Sequence, residues 1–367
     1  MAVWVPPGCS KSTSVEFWLG ASGVTGFALG PDGHLATMRL LIFILIELFL
    51  LPLQIVGVIL YTFRLRKISI PQQISGTANE PYGARLLFHI ARTRNDPTAY
   101  ALAGHLPIYD GLVTFLIIKT LEFACRLSGY RGWLFDFPGP RPSDLLTFIS
   151  HRTAFFDHAL HESLTREENP VRQLVILGAG FDTRCYDLPD AADVCCFEVD
   201  MAPTLKAKIK GLEAAGVAHQ HVTFVETDFN QQSWMEALLN AGFDGAKTTF
   251  VLWEGVTMYI PEQSVRDTLR LAATLPEGSE VAFDYFSKEL LDCETPYEKT
   301  GKRLVNQGMK YYGEALIFGI STRKPARDPL EQLVGECGLK LERFEHTHSE
   351  NPPSIPAYCF ATATTVA

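Results

Sequence analysis

Two hydrophobic patterns divide this chain. From Leu40 to Phe63 the residues are apolar around the whole circumference of a helix, with Glu47 and Pro52 as the main interruptions. From Leu174 onward, short runs of β-formers alternate with helix-length amphipathic stretches. The first pattern is long enough to cross a hydrocarbon core of ~30 Å. Helices in soluble cores seldom stay apolar on every face for about six turns. A signal peptide would have a shorter apolar region and a small-residue cleavage site, which does not follow here. Arg64, Arg66 and Lys67 stand just after the stretch, so the positive-inside rule predicts a single pass with everything downstream cytosolic. Glu47 and Pro52 leave a shallow interfacial helix or hairpin as the alternative.

The second pattern predicts an α/β fold. Leu174–Leu177 is a strand that runs into the turn Gly178-Ala179-Gly180. Further strands are expected at Val194–Val199, Val222–Glu226, Thr249–Trp253 and Glu280–Tyr285, with helices at Thr204–Ala215, Ser233–Ala241 and after Pro261. Successive βα units require a doubly wound, mainly parallel sheet. Residues 287–327 interrupt the alternation and read as a helical cap. A helix over Pro329–Cys337 precedes Lys340–Glu345 and Tyr358–Thr364, which read as a terminal antiparallel hairpin.

The remaining segments complete the division. Residues 1–37 are rich in Gly, Ser and Pro without a period and read as disordered. Met38 offers an alternative start, which would make them an extension of the gene reading. Residues 38–67 form the membrane anchor and residues 68–142 a helical extension and linker, broken at 137–142 by Phe-Pro-Gly-Pro-Arg-Pro. The catalytic domain is expected over 143–367. Ser143 would cap its first helix, which runs to about Ser163.

Composition narrows the chemistry. A net charge of −9, with no basic cluster carrying interleaved aromatics, argues against nucleic acid. The 8 cysteines form no CxxC pair and no His/Cys cluster has metal-ligand spacing, so neither a metal nor a disulfide framework is expected.

Four consecutive strands end in Gly178/Gly180, Asp200, Asp228 and Glu254, which places all four ends on the ligand-binding edge of such a sheet. Asp200 lies about 20 residues beyond the glycines, where an acid accepts hydrogen bonds from ribose hydroxyls. Its other common role is helix capping. Arg152 falls inside an apolar helix stripe with Leu145, Ile149, Phe156 and Ala159, so it needs an anionic partner. Either a ligand or an internal acid such as Asp157 or Glu162 would serve. Ribose recognition alone fits a nicotinamide dinucleotide as well as S-adenosylmethionine. A dinucleotide turn wants a third glycine, and Thr183 occupies that place. An acidic lining also suits a ligand with an ammonium and a sulfonium better than a pyrophosphate.

Arg152-Thr153-Ala154-Phe155-Phe156-Asp157, LGAGFDTR at 177–184, FEVD at 197–200, Thr227-Asp228-Phe229, EGVTMYIPEQ at 254–263 and GEALIFGI at 313–320 together resemble the leucine carboxyl methyltransferase family. The resemblance implies a Rossmann-like methyltransferase domain that uses S-adenosylmethionine. By that analogy Arg152 pairs with the cofactor's carboxylate, and Gly178 and Gly180 let its backbone approach. Asp200 takes the ribose, Asp228 lies near the adenine and Glu254 faces the ammonium. The implied acceptor is a carboxylate or hydroxyl oxygen of a small metabolite or a protein carboxyl terminus. The soluble phosphatase methyltransferases of the family lack the membrane segment, which sets the phosphatase substrate apart. A carboxylate acceptor is already ionised and needs only alignment; a hydroxyl needs a base. Tyr259 and His151 are weak candidates for that base. A nicotinamide-dependent oxidoreductase and a non-catalytic cofactor-binding module are the competing classes.

Overall fold

Strands β1 (Gln173–Leu177) and β4 (Thr249–Trp253) are buried along their whole length, as the centre of a parallel sheet must be. They belong to a sheet with β2 (Cys195–Asp200), β3 (Val222–Glu226), β5 (Glu280–Ser287), β6 (Gly319–Ile320), β7 (Leu339–His346) and β8 (Tyr358–Thr365). The order is β3-β2-β1-β4-β5-β8-β7, with β6 beside the end of β5. Strands β1 to β6 pair in parallel, and β8 and β7 close the edge as the expected antiparallel hairpin. This computed structural model describes residues 31–131, 147–188, 193–228, 233–307, 310, 312–323, 325–347 and 355–366.

The helices are α1 (Pro31–Arg64), α2 (Asn79–Ile90), α3 (Pro97–Leu102), α4 (Gly111–Val113), α5 (Thr120–Ser128), α6 (Phe148–Thr165), α7 (Ala202–Ala215), α8 (Trp234–Asn240), α9 (Glu262–Ala272), α10 (Lys288–Leu291), α11 (Glu298–Gln307) and α12 (Arg327–Glu336). Alternate strand residues serve opposite layers. Val175 and Leu177 join α8, α9 and α12 in one core, whereas Leu174 and Ile176 join Phe155, Phe156 and Leu160 of α6 in the other. A third core gathers Tyr82, Leu86, Leu102, Leu106 and Val113 against Phe181 and Leu212, fastening the amino-terminal helices beside the glycine turn.

Several boundaries differ from the pattern-based expectation. Helix α1 begins at Pro31, not Met38, so residues 31–37 are helical. Residues 287–327 are not wholly helical: β6 adds a short strand, and a Cβ on Gly319 would meet the Phe286 carbonyl oxygen at 2.8 Å. Only glycine lets the two chains come that close. Residues 1–30, the 137–142 break and the Ser143 cap lie outside the described residues. The helix that Ser143 was expected to open is described from Phe148 to Thr165.

A π-wound turn, Thr114–Lys119, joins α4 to α5, so residues 111–128 form one continuous helix lying along α1. Phe43 and Leu50 of α1 pack with Ala124, Cys125 and Tyr130, and the Gln54 side-chain amide donates to Thr120 Oγ1 at 3.4 Å. Among the described residues one helix, continuing from His34 to Ser69, is long and apolar enough to cross a membrane.

Candidate functional site

At the carboxyl ends of β1, β2 and β4 the sheet opens into a cavity of about 890 Å³, within the usual range for small-molecule sites. Its floor is the glycine turn with Asp182, Asp200, Glu254 and Arg152. Its roof comes from residues 70–85 on one side and Tyr312–Leu316 on the other. Glu314 ties the two sides together: its carboxylate accepts from Gly76 N at 3.2 Å, Ser75 Oγ at 3.3 Å and Thr77 Oγ1 at 2.6 Å. Phe148, Phe286, Leu304 and Leu316 make one end of the cavity apolar.

The glycines are required by conformation and by space. Gly178 and Gly180 have φ of 67° and 47°, in the left-handed region that side chains rarely adopt. A Cβ would meet Val256 Cγ2 at 2.4 Å at the first position and Ala78 Cβ at 2.9 Å at the second. Asp200 braces this turn, accepting from Gly180 N and Met201 N at 2.6 Å each. It is not the side-chain cap of α7, whose N-cap residue is Met201 with no side-chain bond. Burial pushes its pKa up to about 6, against the lowering effect of those two N–H groups and of Lys208.

Glu254 sits among three arginines. Arg184 Nη1 is 2.6 Å from Oε2, Arg85 Nη2 is 3.5 Å from Oε2, and Arg152 Nε is 2.9 Å from Oε1. Burial alone would raise the Glu254 pKa, but Arg184, Arg152 and Arg85 together hold it below the ordinary value. Arg152 also donates to Tyr358 Oη at 3.1 Å and lies 3.4 Å from Asp284 Oδ2. Its internal partners are thus Glu254 and Asp284, not Asp157 or Glu162. Asp157 instead bridges Arg94 and Arg184, each at 2.7 Å, and Glu162 pairs with Arg343.

These partners leave donors unused. Among the described residues, Arg152 Nη2 and Arg85 Nε are buried without a hydrogen-bond acceptor, and both side chains line the cavity. Arg152 Nε is close to Glu254 in charge but off the line of a hydrogen bond. A buried donor left unpaired costs about 1–3 kcal/mol, so both guanidinium groups are short of acceptors. The lining carries five acids (Glu80, Asp182, Asp200, Glu254, Glu314) against two arginines (Arg85, Arg152), a formal excess of three negative charges. The donor set and this excess fit the zwitterionic, sulfonium-bearing S-adenosylmethionine. A pyrophosphate fits poorly, because the glycine turn leads into a single 3₁₀ turn, Arg184–Tyr186, without an α-helix N-terminus through residue 188. Thr183, where a dinucleotide turn has glycine, donates to Asp96 at 2.9 Å.

Arg152, Gly178, Gly180, Asp200, Glu254 and Tyr259 are brought together around one cavity. Asp228 follows β3, half-buried, and is not among the lining residues. His151 lies outside the lining, its Nδ1 3.2 Å from the Thr147 carbonyl oxygen. Burial, with Glu314 and Glu80 nearby, raises the Tyr259 pKa, so this phenol keeps its proton. Sequence reasoning missed Arg85 and Asp284. Arg85 carried the signal that marked Arg152, a charge within the buried stripe Tyr82, Leu86, Ile90. Asp284 was an acid inside the apolar run of β5.

The comparisons with known proteins follow the same line. The family profile described as Leucine carboxyl methyltransferase matches residues 138–273. A Mycobacterium marinum (strain ATCC BAA-535 / M) protein, named as a candidate S-adenosyl-L-methionine-dependent methyltransferase, is 31% identical over 275 residues, covering 73% of this chain and 83% of that protein. A Mycobacterium tuberculosis (strain ATCC 25618 / H37Rv) protein of the same description is 34% identical over 154 residues, 41% of this chain. That alignment spans 42% of the relative's own length. Among solved structures, magnesium protoporphyrin IX methyltransferase from Synechocystis PCC 6803 with bound SAH aligns at a TM-score of 0.40 and 12% identity, covering 63% of this chain and 91% of that one. That likeness is too loose to argue from.

Proposed function

The chain belongs to the leucine carboxyl methyltransferase family, whose cofactor is S-adenosylmethionine, and we propose that it methylates a carboxylate or hydroxyl oxygen of a small metabolite or a protein carboxyl terminus. The observation that carries this reading is the acidic cavity at the strand ends, with Arg152 and Arg85 in its lining. When bound, the cofactor supplies a methyl group made electrophilic by its sulfonium. Gly178 and Gly180 would offer backbone approach and Asp200 would accept from the ribose, while Asp228, outside the lining, has only the family resemblance to put it near the adenine. Arg152 and Arg85 hold the carboxylate, and Glu254, kept ionised by its arginines, faces the ammonium.

The apolar end around Phe148, Phe286 and Leu316 excludes water from the acceptor. The ionisable side chains around Tyr259 are engaged: Glu314 by three donors and Glu80 by the Tyr312 hydroxyl, while Tyr259 keeps its own proton. A carboxylate, which needs no deprotonation at neutral pH, is therefore the favoured acceptor. Tyr259 can donate a hydrogen bond but not take a proton. Helix α1 keeps the catalytic domain at a membrane, on its cytosolic face.

Incubation of the full chain with methyl-labelled S-adenosylmethionine and a metabolite extract tests the reaction. Label released as methanol by mild base is the expected result, because methyl esters hydrolyse readily. Label retained through base on nitrogen or carbon would contradict oxygen transfer.

A further inference from the structure

The outer face of α1 and a stripe on the neighbouring helix form one apolar surface. The docked residues of α1 recur at alternating three- and four-residue steps: Phe43, Glu47, Leu50, Gln54, Gly57 and Tyr61. The helix's interior polar side chains, Glu47 and Gln54, both fall on this seam and bond each other at 2.7 Å. Everything facing away from the seam between Leu41 and Ile59 is apolar and exposed, for example Leu45, Phe49 and Ile59. Beside it the 111–128 helix exposes Leu112, Phe115, Phe123 and Leu127 along one face, on which the long stems of Lys119 and Arg126 also emerge. An exposed patch of this extent marks a binding surface.

We propose that the occupant is a lipid surface and that α1 lies in its plane rather than crossing it, so that α1 and the 111–128 helix dip into one leaflet together. Three observations carry this. First, the 111–128 helix runs antiparallel beside α1 over most of its length: Ile117 meets Gly57, and Gly129 meets Arg39. It cannot accompany α1 across a bilayer, because it carries Lys119, Glu122 and Arg126, with Glu122 bound to both cations and to the Tyr100 hydroxyl.

Second, the inner side of that helix is joined to the catalytic domain without a gap. Val113 and Ile118 share a core with Leu86, Leu102 and Leu212. A perpendicular α1 would drag that core to bilayer depth. Third, basic residues flank the apolar stretch of α1 on both sides. Exposed Arg39 and the neighbouring Arg126 and Arg131 mark one end, and Arg66 and Lys67 the other. A crossing helix would send one of these collars to the far side against the positive-inside bias. A helix in the plane presents both to the headgroups of one leaflet, and in a chain of net charge −9 such local basic collars select anionic lipid.

On this proposal one-sided insertion takes the place of the single crossing expected from hydropathy. The test is topological and independent of any methyl transfer. The full chain, tagged at its amino terminus, is reconstituted into sealed phosphatidylcholine–phosphatidylglycerol vesicles with the catalytic domain outside, and protease is added without detergent. Loss of the tag together with the domain is expected; a tag that survives until detergent is added would overturn the proposal. In a second arm, Phe115→Glu combined with Phe123→Glu should weaken co-flotation with the same vesicles by about tenfold or more. Circular dichroism of the variant confirms that it is folded, and unchanged flotation of the folded variant would remove the second helix from the surface.

Discussion

The cavity floor and the outer face of α1 break the ordinary sorting of residues in opposite directions. The floor buries charge: Arg85, Arg152, Arg184, Asp182 and Glu254 are nearly sealed from solvent within one network. The face of α1 exposes bulk hydrocarbon, with Phe49 83% accessible. In a monomeric soluble protein each would be costly. Each becomes intelligible when its missing partner is supplied, a zwitterionic ligand for the floor and lipid for the face. Residues out of place thus say more about function than residues in place. The two regions also meet, because the segment leaving α1 supplies Ile70, Gln73 and Ile74 to the cavity wall.

The network should be the more fragile region. Glu254→Ala leaves three buried arginines short of a counter-charge, and breaking such a pair costs about 3–5 kcal/mol. Denaturant unfolding should show a loss of that order. A change under 1 kcal/mol would mean that the floor is more hydrated than its burial implies.

Next in size is the loss of ligand contact. Arg152→Lys keeps the charge but not the planar fork. It should weaken S-adenosylmethionine binding by roughly 1–3 kcal/mol while most of the folding stability survives. The reverse split, stability lost and affinity kept among folded molecules, would make Arg152 purely an internal strut to Glu254 and Asp284.

Asp200 predicts a pH effect. Its folded pKa of about 6 lies above the ordinary 3.8, so below 3.8 the buried carboxyl is neutral in both states and opposes nothing. As pH rises through 6 the unliganded protein loses that neutral form and some stability with it. With Asp200 in its proposed role, the ligand needs the ionised form to receive ribose hydroxyls, so affinity should climb from pH 5 to 7 with a midpoint near 6. Titrations across that range check it, and Asp200→Asn should flatten the curve. A midpoint that persists in the variant belongs to another group, with Asp284, also pushed up to about 6 by burial, the first suspect.

The smallest effect on stability belongs to the exposed stripe. Phe123 is 54% accessible, so Phe123→Ser in detergent-free buffer should shift unfolding by less than about 0.5 kcal/mol. A large loss would show that this ring packs within the protein and that the stripe is not a free face.

Much of the sheet was legible because each β-run is short, apolar and followed by a chemically distinctive end. Asp200 and Glu254 could be placed together without coordinates, since strand ends in a parallel sheet share an edge. Arg85 was harder to place. Its helix precedes the first strand by some 80 residues, and only the packing of Tyr82 and Leu86 on Phe181 and Leu212 brings it to the glycine turn. Strand β6 was not legible, because its two residues acquire meaning only against the end of β5. The seam on α1 was legible in part. Glu47 was visible as an anomaly, but its role on a docked face depends on a helix some 70 residues away, which local periodicity cannot reach.

Titration calorimetry of the full chain in mild detergent, with S-adenosylmethionine and NADH in separate runs, tests the central reading of the cavity most directly. Saturable one-site binding of S-adenosylmethionine with no heat from NADH is the predicted result. Saturable binding of NADH with none of S-adenosylmethionine would contradict it.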